Sequence, residues 1–377
     1  MLSTPETVIW LIRHSASTFN LQGRCQGCCD LPELTDESRC AARLTGERLR
    51  NAGIEAIIFS PLRRAAQTAF EIAEALRPLT RNIRMKPDPR LREIELPEWE
   101  GLAFAEIHAK FPEQFLTWCR DPWHLQMLSS DGVPQFPVQN LYRRARHIWL
   151  DSVARYPGKT ILLVSHGGTG RALITSALGL GAKYFHAFQQ SNCGLTRLCF
   201  AGKTGKTRLE LLNDTSHVNN SLPKIKEAKI GIRLLLIPVA GSSLDAFRRI
   251  LNVVGRVRMH TVFAAGVGVQ AVASLIFQSS CSCAVQQVSG DVLLGRVKEI
   301  LEGECENELR NVALIASPAR LRRVLQDCFD LTALVANAIS LTEPGITVVH
   351  CPGGGVPTIL QGMNMLGQRI DSTGVTS

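Results

Sequence analysis

The feature that most constrains the fold is a recurrent pattern of short, unbroken apolar runs, each followed by a longer amphipathic stretch. Val8-Ile9-Trp10-Leu11-Ile12 is the first of these runs. A run without polar alternation suits a strand buried on both faces, the condition of a parallel sheet covered by helices. Residues 56–59 and 160–164 repeat the pattern, and helices are expected over 37–52, 65–76 and 170–178. This alternation predicts an α/β fold, a parallel-rich sheet with helices on both faces.

A chain of 377 residues suggests two domains, and a hydrophobic content of 45% is enough to build ordinary cores. The polar and basic stretch 218–231 reads as a linker, which gives domains at 1–222 and 232–377. Beyond it the strand–helix pattern restarts, and it reads as an internal repeat. Ile161-Leu162-Leu163-Val164-Ser165-His166 resembles Val312-Ala313-Leu314-Ile315-Ala316-Ser317, an offset of 151 that also pairs Arg171 with Arg322 and Thr196 with Thr347. An offset of 204 aligns Phe59 with Phe263. The second half is therefore expected to copy the first architecture.

The formal net charge is +9, but the arginines are scattered without a basic run. This favours a small anionic ligand over nucleic acid. Cys25, Cys28 and Cys29 contain a CxxC without a matching second pair, and Cys281 and Cys283 are wrongly spaced for a zinc ribbon. No metal and no cofactor are expected, and the twelve cysteines read as mostly reduced thiols of a cytoplasmic protein. The start, MLSTPETVIW, lacks the basic region of a signal peptide, and the apolar stretch 261–278 is interrupted by Gly266, Gly268 and Gln270. No membrane association is expected, and a homo-oligomer is left open. Gly353-Gly354-Gly355 runs into Val356-Pro357, not the Lys-Ser/Thr of a phosphate-binding P-loop.

Chemistry-bearing residues gather after the apolar runs. Arg13 and His14 follow the first, Ser60-Pro61-Leu62-Arg63-Arg64 the second, and His166-Gly167-Gly168 the third. Ligands of parallel α/β sheets bind at the carboxyl ends of strands. Histidine can act as a nucleophile, and arginine forks match pairs of anionic oxygens. Taken singly, each residue is an ordinary loop side chain; their shared placement is what points to one site.

These segments carry a resemblance. Leu11-Ile12-Arg13-His14, Ser60-Pro61-Leu62-Arg63-Arg64-Ala65, Leu91-Arg92-Glu93 with Glu98-Trp99-Glu100-Gly101, and Ser165-His166-Gly167-Gly168 resemble, in order, the motifs of the histidine phosphatase (phosphoglycerate mutase-like) superfamily. The two-part layout, with Gln189-Gln190-Ser191-Asn192-Cys193-Gly194, resembles the carboxyarabinitol-phosphatase-related branch of plants and cyanobacteria. The resemblance implies a phosphomonoesterase acting on a small phosphorylated metabolite, a sugar or sugar-acid phosphate, through a phosphohistidine. It implies His14 as nucleophile, Glu93 as acid and base, and Arg13, Asn20, Arg64 and His166 as ligands of the phosphoryl oxygens, with His166 also catalytic. The rival readings are a phosphoglycerate mutase, with 101–141 as a lid, and a catalytically weakened regulatory or binding protein.

Two positions depart from the motifs: Ser15 and Ser38 stand where glycine is common. Glycine after the nucleophile allows close backbone approach and unusual angles, so Ser15 is expected to slow the chemistry and Ser15→Gly to raise turnover. In the second half, alignment puts Pro238-Val239 at the place of Arg13-His14, Ser317 at that of His166, and Gly268 at that of Arg64. That copy is expected to lack catalysis.

Overall fold

The computed structural model describes residues 5–77, 83–202, 206–219, 221–225, 229–241, 244–255, 257–266, 268–277, 285–303 and 308–366. Cys281, Cys283, part of the expected linker and the polar tail lie outside them. The chain forms two compact units, Met1–Arg208 and Leu209–Ser377.

The first unit contains β1 (Thr7–Arg13), α1 (Thr18–Leu21), α2 (Asp36–Arg48), β2 (Ala56–Phe59), α3 (Arg63–Leu76) and β3 (Arg84–Pro87). There follow α4 (Phe104–Lys110), α5 (Pro112–Arg120), a small hairpin of β4 (Met127–Leu128) and β5 (Pro134–Gln135), and α6 (Pro137–Arg155). The unit continues with β6 (Thr160–Ser165), α7 (Gly167–Ala177) and β7 (Leu195–Phe200), and β8 (Thr207–Asp214) crosses the division. Strand order is β3-β2-β6-β1-β7. β1, β6, β2 and β3 run parallel, and β7 pairs antiparallel with β1.

Burial explains the apolar runs: Ile9, Leu11 and Ile12 of β1 and Ile161 to Val164 of β6 are fully covered. α3 buries Ala65, Thr68, Ala69, Ile72, Ala73 and Leu76, spaced three and four apart along one face. Thr35 caps α2 by accepting from the Ser38 amide, and Pro137 opens α6 where its missing N–H costs nothing. The helices start a few residues earlier than periodicity suggests: α3 begins at Arg63 and α7 at Gly167, bringing the motif residues onto helix starts. Among the described residues no helix is long and apolar enough to cross a membrane.

The second unit contains β9 (Gly231–Pro238), α8 (Leu244–Val254), β10 (Thr261–Ala265), α9 (Val269–Phe277), β11 (Val285–Gln287) and α10 (Gly290–Glu302). It goes on through β12 (Leu309–Ala316), α11 (Pro318–Phe329), α12 (Ala333–Ala338), β13 (Ile346–Cys351) and β14 (Ile359–Met365). Strand order is β11-β10-β12-β9-β13-β14-β8. The division falls inside β8 and not in the stretch 218–231, because Leu212 of β8 pairs with Met363 of β14. Strand pairing binds the chain here more strongly than local composition separates it.

The five strands β11-β10-β12-β9-β13 repeat the order and directions of β3-β2-β6-β1-β7. Equivalent hydrogen bonds recur as well. The His14 amide donates to the Ser165 carbonyl at 2.8 Å, and the Val239 amide donates to that of Ala316 at 2.9 Å. Thr196 lies opposite Leu11, and Thr347 lies opposite Leu236. One alignment needs correction. Phe59 lies beside Val164, while Ile315, which stands 151 residues after Val164, lies beside Ala264. The place of Arg64 therefore falls on Val269, not Gly268. In a strand that is apolar throughout, no side-chain alternation marks the register, so only the hydrogen-bond ladder reveals a one-residue slip.

Candidate active site

The parallel strands of the first unit deliver three motif segments to their carboxyl ends. The His14 ring is 2% exposed and is oriented by its own chain. Its Nδ1 lies 2.7 Å from the Ser15 carbonyl oxygen, which can only accept, so the ring proton resides on Nδ1. Nε2 is left with its lone pair and lies 3.3 Å from Nε of Arg64. Burial first, then Arg64 and Arg13, push the His14 pKa well below the ordinary imidazole value. The imidazole is therefore neutral at physiological pH.

Arg64 is fully buried. Its Nη1 and Nη2 donate to the carbonyls of Cys29 at 2.8 Å and Gly27 at 2.9 Å. The CxxC segment thus serves as a carbonyl cradle for an arginine. Gly27 has φ +48 and no room for a Cβ, because Glu100 packs onto it. That same carboxylate accepts from the Cys28 amide. Arg63, by contrast, is exposed and faces Glu33 at 3.7 Å.

The His166 ring meets His14 edge-on, with centroids 5.1 Å apart, and its pKa is likewise driven well down by burial and Arg64. Nε2 of His166 contacts the Ser60 hydroxyl at 2.7 Å, and its buried Nδ1 has no partner among the described residues. Ser60 thus adjoins the site, although the sequence singled it out only as the first residue of a motif segment and gave it no role. Arg13 donates from Nη1 to the Gln190 carbonyl at 2.9 Å, and burial lowers its pKa to about 10, which leaves it cationic at neutral pH.

The Glu93 carboxylate sits at the start of α7. Oε1 accepts from the amides of Ile94 at 2.9 Å and Thr169 at 3.0 Å; Oε2 accepts from the Gly168 amide at 3.0 Å. Oε2 therefore keeps an open lone pair. Gly168 has no space for a Cβ against this carboxylate.

Asn20 is tied in through a residue to which sequence reasoning gave no role. Nδ2 of Asn192 donates to the His14 carbonyl at 2.9 Å and to Oδ1 of Asn20 at 3.2 Å. The Ser17 amide also donates to that oxygen, at 3.1 Å, so the Asn20 NH2 group faces the other way. Only the QQSNCG resemblance singled out this stretch.

Ser15 does not behave as expected. It is absent from the positive-φ residues, so no glycine-like backbone is required of it. Its hydroxyl donates to the Ser38 carbonyl at 2.7 Å and its amide to Oγ1 of Thr68 at 3.0 Å. The two departures from the glycine pattern are thus bonded to each other, and the Ser15 hydroxyl is directed to α2 and not to Arg64 or His166.

Of the six residues foreseen from sequence, His14 contacts Arg64 and His166 and is tied to Asn20 through Asn192, while Arg13 and Glu93 are held by partners of their own, the Gln190 carbonyl and the start of α7. A neutral imidazole among buried cations, at the carboxyl ends of parallel strands, has the make-up of a site for covalent handling of a tetrahedral anion. The chain matches the profile of the histidine phosphatase superfamily (branch 1) over residues 9–215, more than half its length, and it belongs to that superfamily.

Among curated proteins it is 36% identical over 190 residues to a probable 2-carboxy-D-arabinitol-1-phosphatase of Arabidopsis thaliana, covering 50% of this chain and 37% of that one. It is 33% identical over 231 residues to 2-carboxy-D-arabinitol-1-phosphatase of Triticum aestivum, covering 60% and 44%. The chain thus spans less than half the length of these two relatives. A probable phosphoglycerate mutase of Yersinia pestis is 32% identical over 226 residues, covering 58% of this chain and 97% of that protein.

Proposed function

We propose that this protein is a phosphomonoesterase that hydrolyses a small anionic phosphate ester, a sugar or sugar-acid phosphate, through a phosphohistidine. The observation that carries the reading is the state of His14: neutral, protonated on Nδ1, with an unprotonated Nε2 beside Arg64. The names of the two plant relatives support the substrate class.

In this reading Nε2 of His14 attacks phosphorus. As the N–P bond forms, the bond to the ester oxygen breaks and Oε2 of Glu93, carrying a proton, protonates that oxygen. Arg13, Arg64, His166 and the Asn20 amide hold the non-bridging oxygens, where charge gathers in the transition state. The Ser60 hydroxyl donates to Nε2 of His166, which leaves Nδ1–H, the ring atom without a partner among the described residues, for the phosphoryl group. Glu93, now a carboxylate, then takes a proton from water as the water oxygen attacks phosphohistidine. Phosphate leaves, and Nε2 regains its lone pair.

The second unit supplies none of these groups. Val239 stands at the place of His14, Val269 at that of Arg64 and Ser317 at that of His166. We read it as a degenerate copy that accompanies the catalytic unit. The test is a panel of phosphorylated metabolites. We expect release of inorganic phosphate and an acid-labile phosphoryl group on His14, both lost in His14→Ala. Isomerised product without phosphate release would make the protein a mutase; full turnover in His14→Ala would overturn the mechanism.

A further inference from the structure

Glu93 lies in a stretch whose backbone has little regular structure: a single turn at Pro89–Leu91 precedes it, and no strand or helix continues through it. Its carbonyls must find partners elsewhere. Ser165 donates its hydroxyl to the Leu91 carbonyl at 2.8 Å, and Thr169 donates to that of Arg92 at 2.7 Å. Three further bonds come from one side chain on α6. Nη1 of Arg144 donates to the carbonyls of Arg90 at 3.1 Å and Arg92 at 2.7 Å, and Nη2 donates to that of Glu93 at 2.9 Å. The Cys28 thiol meets the same Glu93 carbonyl at 3.2 Å. Burial lowers the Arg144 pKa, so holding a cation here carries a desolvation cost.

A planar guanidinium with five N–H groups can hold three carbonyls at once in a fixed plane; an ammonium on a flexible stem cannot. We propose that Arg144 is the positioning residue for Glu93: by clamping the carbonyls of residues 90, 92 and 93 it holds the carboxyl where it can protonate the leaving oxygen. This rests on the proposed role of Glu93 as general acid. The Arg144 guanidinium is engaged with these carbonyls and acts through Glu93. Its effect falls on the proton transfer that accompanies cleavage of the ester bond, and so on which leaving groups are accepted.

Leaving-group dependence separates this from a merely structural role. p-Nitrophenolate departs without a proton, whereas the alkoxide of glycerophosphate needs one. The constant kcat/KM covers only steps up to ester cleavage, so the dephosphorylation common to both substrates drops out. In the full-length protein, Arg144→Ala is expected to lower kcat/KM for glycerophosphate by about tenfold or more beyond its effect on p-nitrophenyl phosphate. Arg144→Lys keeps the charge without the fork; it is expected to act in the same direction less strongly, and it carries the measurement if Arg144→Ala does not fold. Glu93→Gln is the reference and is expected to show the same selectivity in larger degree. Equal losses for both substrates in the Arg144 variants, with Glu93→Gln still selective, would overturn the positioning role. A Glu93→Gln protein without selectivity would instead remove the general acid, and this inference with it.

Discussion

At the scale of single residues, two neighbours share one turn of chain and have opposite sensitivities. His14 depends on the Ser15 carbonyl for its tautomer, and the Ser15 side chain serves a different purpose, the bond to Ser38. Ser15→Gly leaves the carbonyl in place but removes the hydrogen bond to the Ser38 carbonyl and loosens the unfolded chain. The expected cost is about 1–2 kcal/mol, and turnover is not expected to rise, contrary to the reading of Ser15 as a handicap. Thermal melting and kcat/KM on the same preparation check this; a clear rise in turnover would show that the hydroxyl does crowd the phosphate. For a unit of roughly 200 residues, such a loss corresponds to a drop of about 2–6 °C in Tm.

At the scale of elements, the loop of Cys25 to Cys29 matters because its carbonyls, not its thiols, hold Arg64. Gly27 lies in the left-handed region, where a Cβ costs about 1–2 kcal/mol, and Glu100 already fills the space of that Cβ. Gly27→Ala is therefore expected to displace Glu100, free the Cys28 amide and loosen the Arg64 guanidinium. The predicted result is a fall in kcat/KM of about tenfold or more, since Arg64 faces the developing charge. Circular dichroism would confirm that the variant is folded; unimpaired turnover would show that the cradle is not needed. The segment 101–141, which the sequence offers as a lid, carries secondary structure and aromatic anchors of its own. Trp118 packs edge-on against Phe185 at 5.3 Å and against His186 at 4.9 Å, and its carbonyl meets Nε2 of His186.

At the scale of the whole molecule, acid should be a selective stress. His14, His166 and His186 have lowered values in the folded protein, that of His186 falling to about 3 through burial. Above about pH 6.5 each is neutral in both states and costs nothing. As pH falls below that value the unfolded chain takes up a proton that the folded chain refuses. Stability then drops by up to about 1.4 kcal/mol per pH unit for each histidine. For His186 the loss continues down to about pH 3. Melting temperature of the full chain is expected to fall steadily from pH 6.5 downward; a flat profile between pH 6.5 and 4.5 would contradict the burial of neutral imidazoles. The second unit gives the opposite control. Val239 stands at the place of His14 and packs against an apolar cluster that includes Phe247, Val262 and Ile315. Val239→Ala should cost about 1 kcal/mol through lost packing and leave phosphohistidine formation intact. Loss of the phosphoenzyme in a folded Val239→Ala protein would end the description of this unit as a companion.

The sequence by itself determined the α/β class and the buried strands, because apolar runs are local signals; it also placed Arg13, His14, Arg64 and His166 after such runs, while Asn20 and Glu93 entered through the family resemblance alone. It also carried the repeat, since strands separated by the offset of 151, β6 and β12 and likewise β7 and β13, hold the same places in their two strand orders. Only the tertiary structure decided who supports whom. Ser60 meets His166, Gln190 meets Arg13, Asn192 meets Asn20, and Arg144 meets Glu93, each across a long stretch of chain. Two of these contacts, those of Arg13 and Arg144, use backbone carbonyls, which every residue possesses, so no pattern of side chains announces them. The register of β10 and the pairing of β8 with β14 were hidden for a related reason: both depend on hydrogen bonds between distant strands, and an apolar run records that a strand is buried but not which partner it meets or in what register.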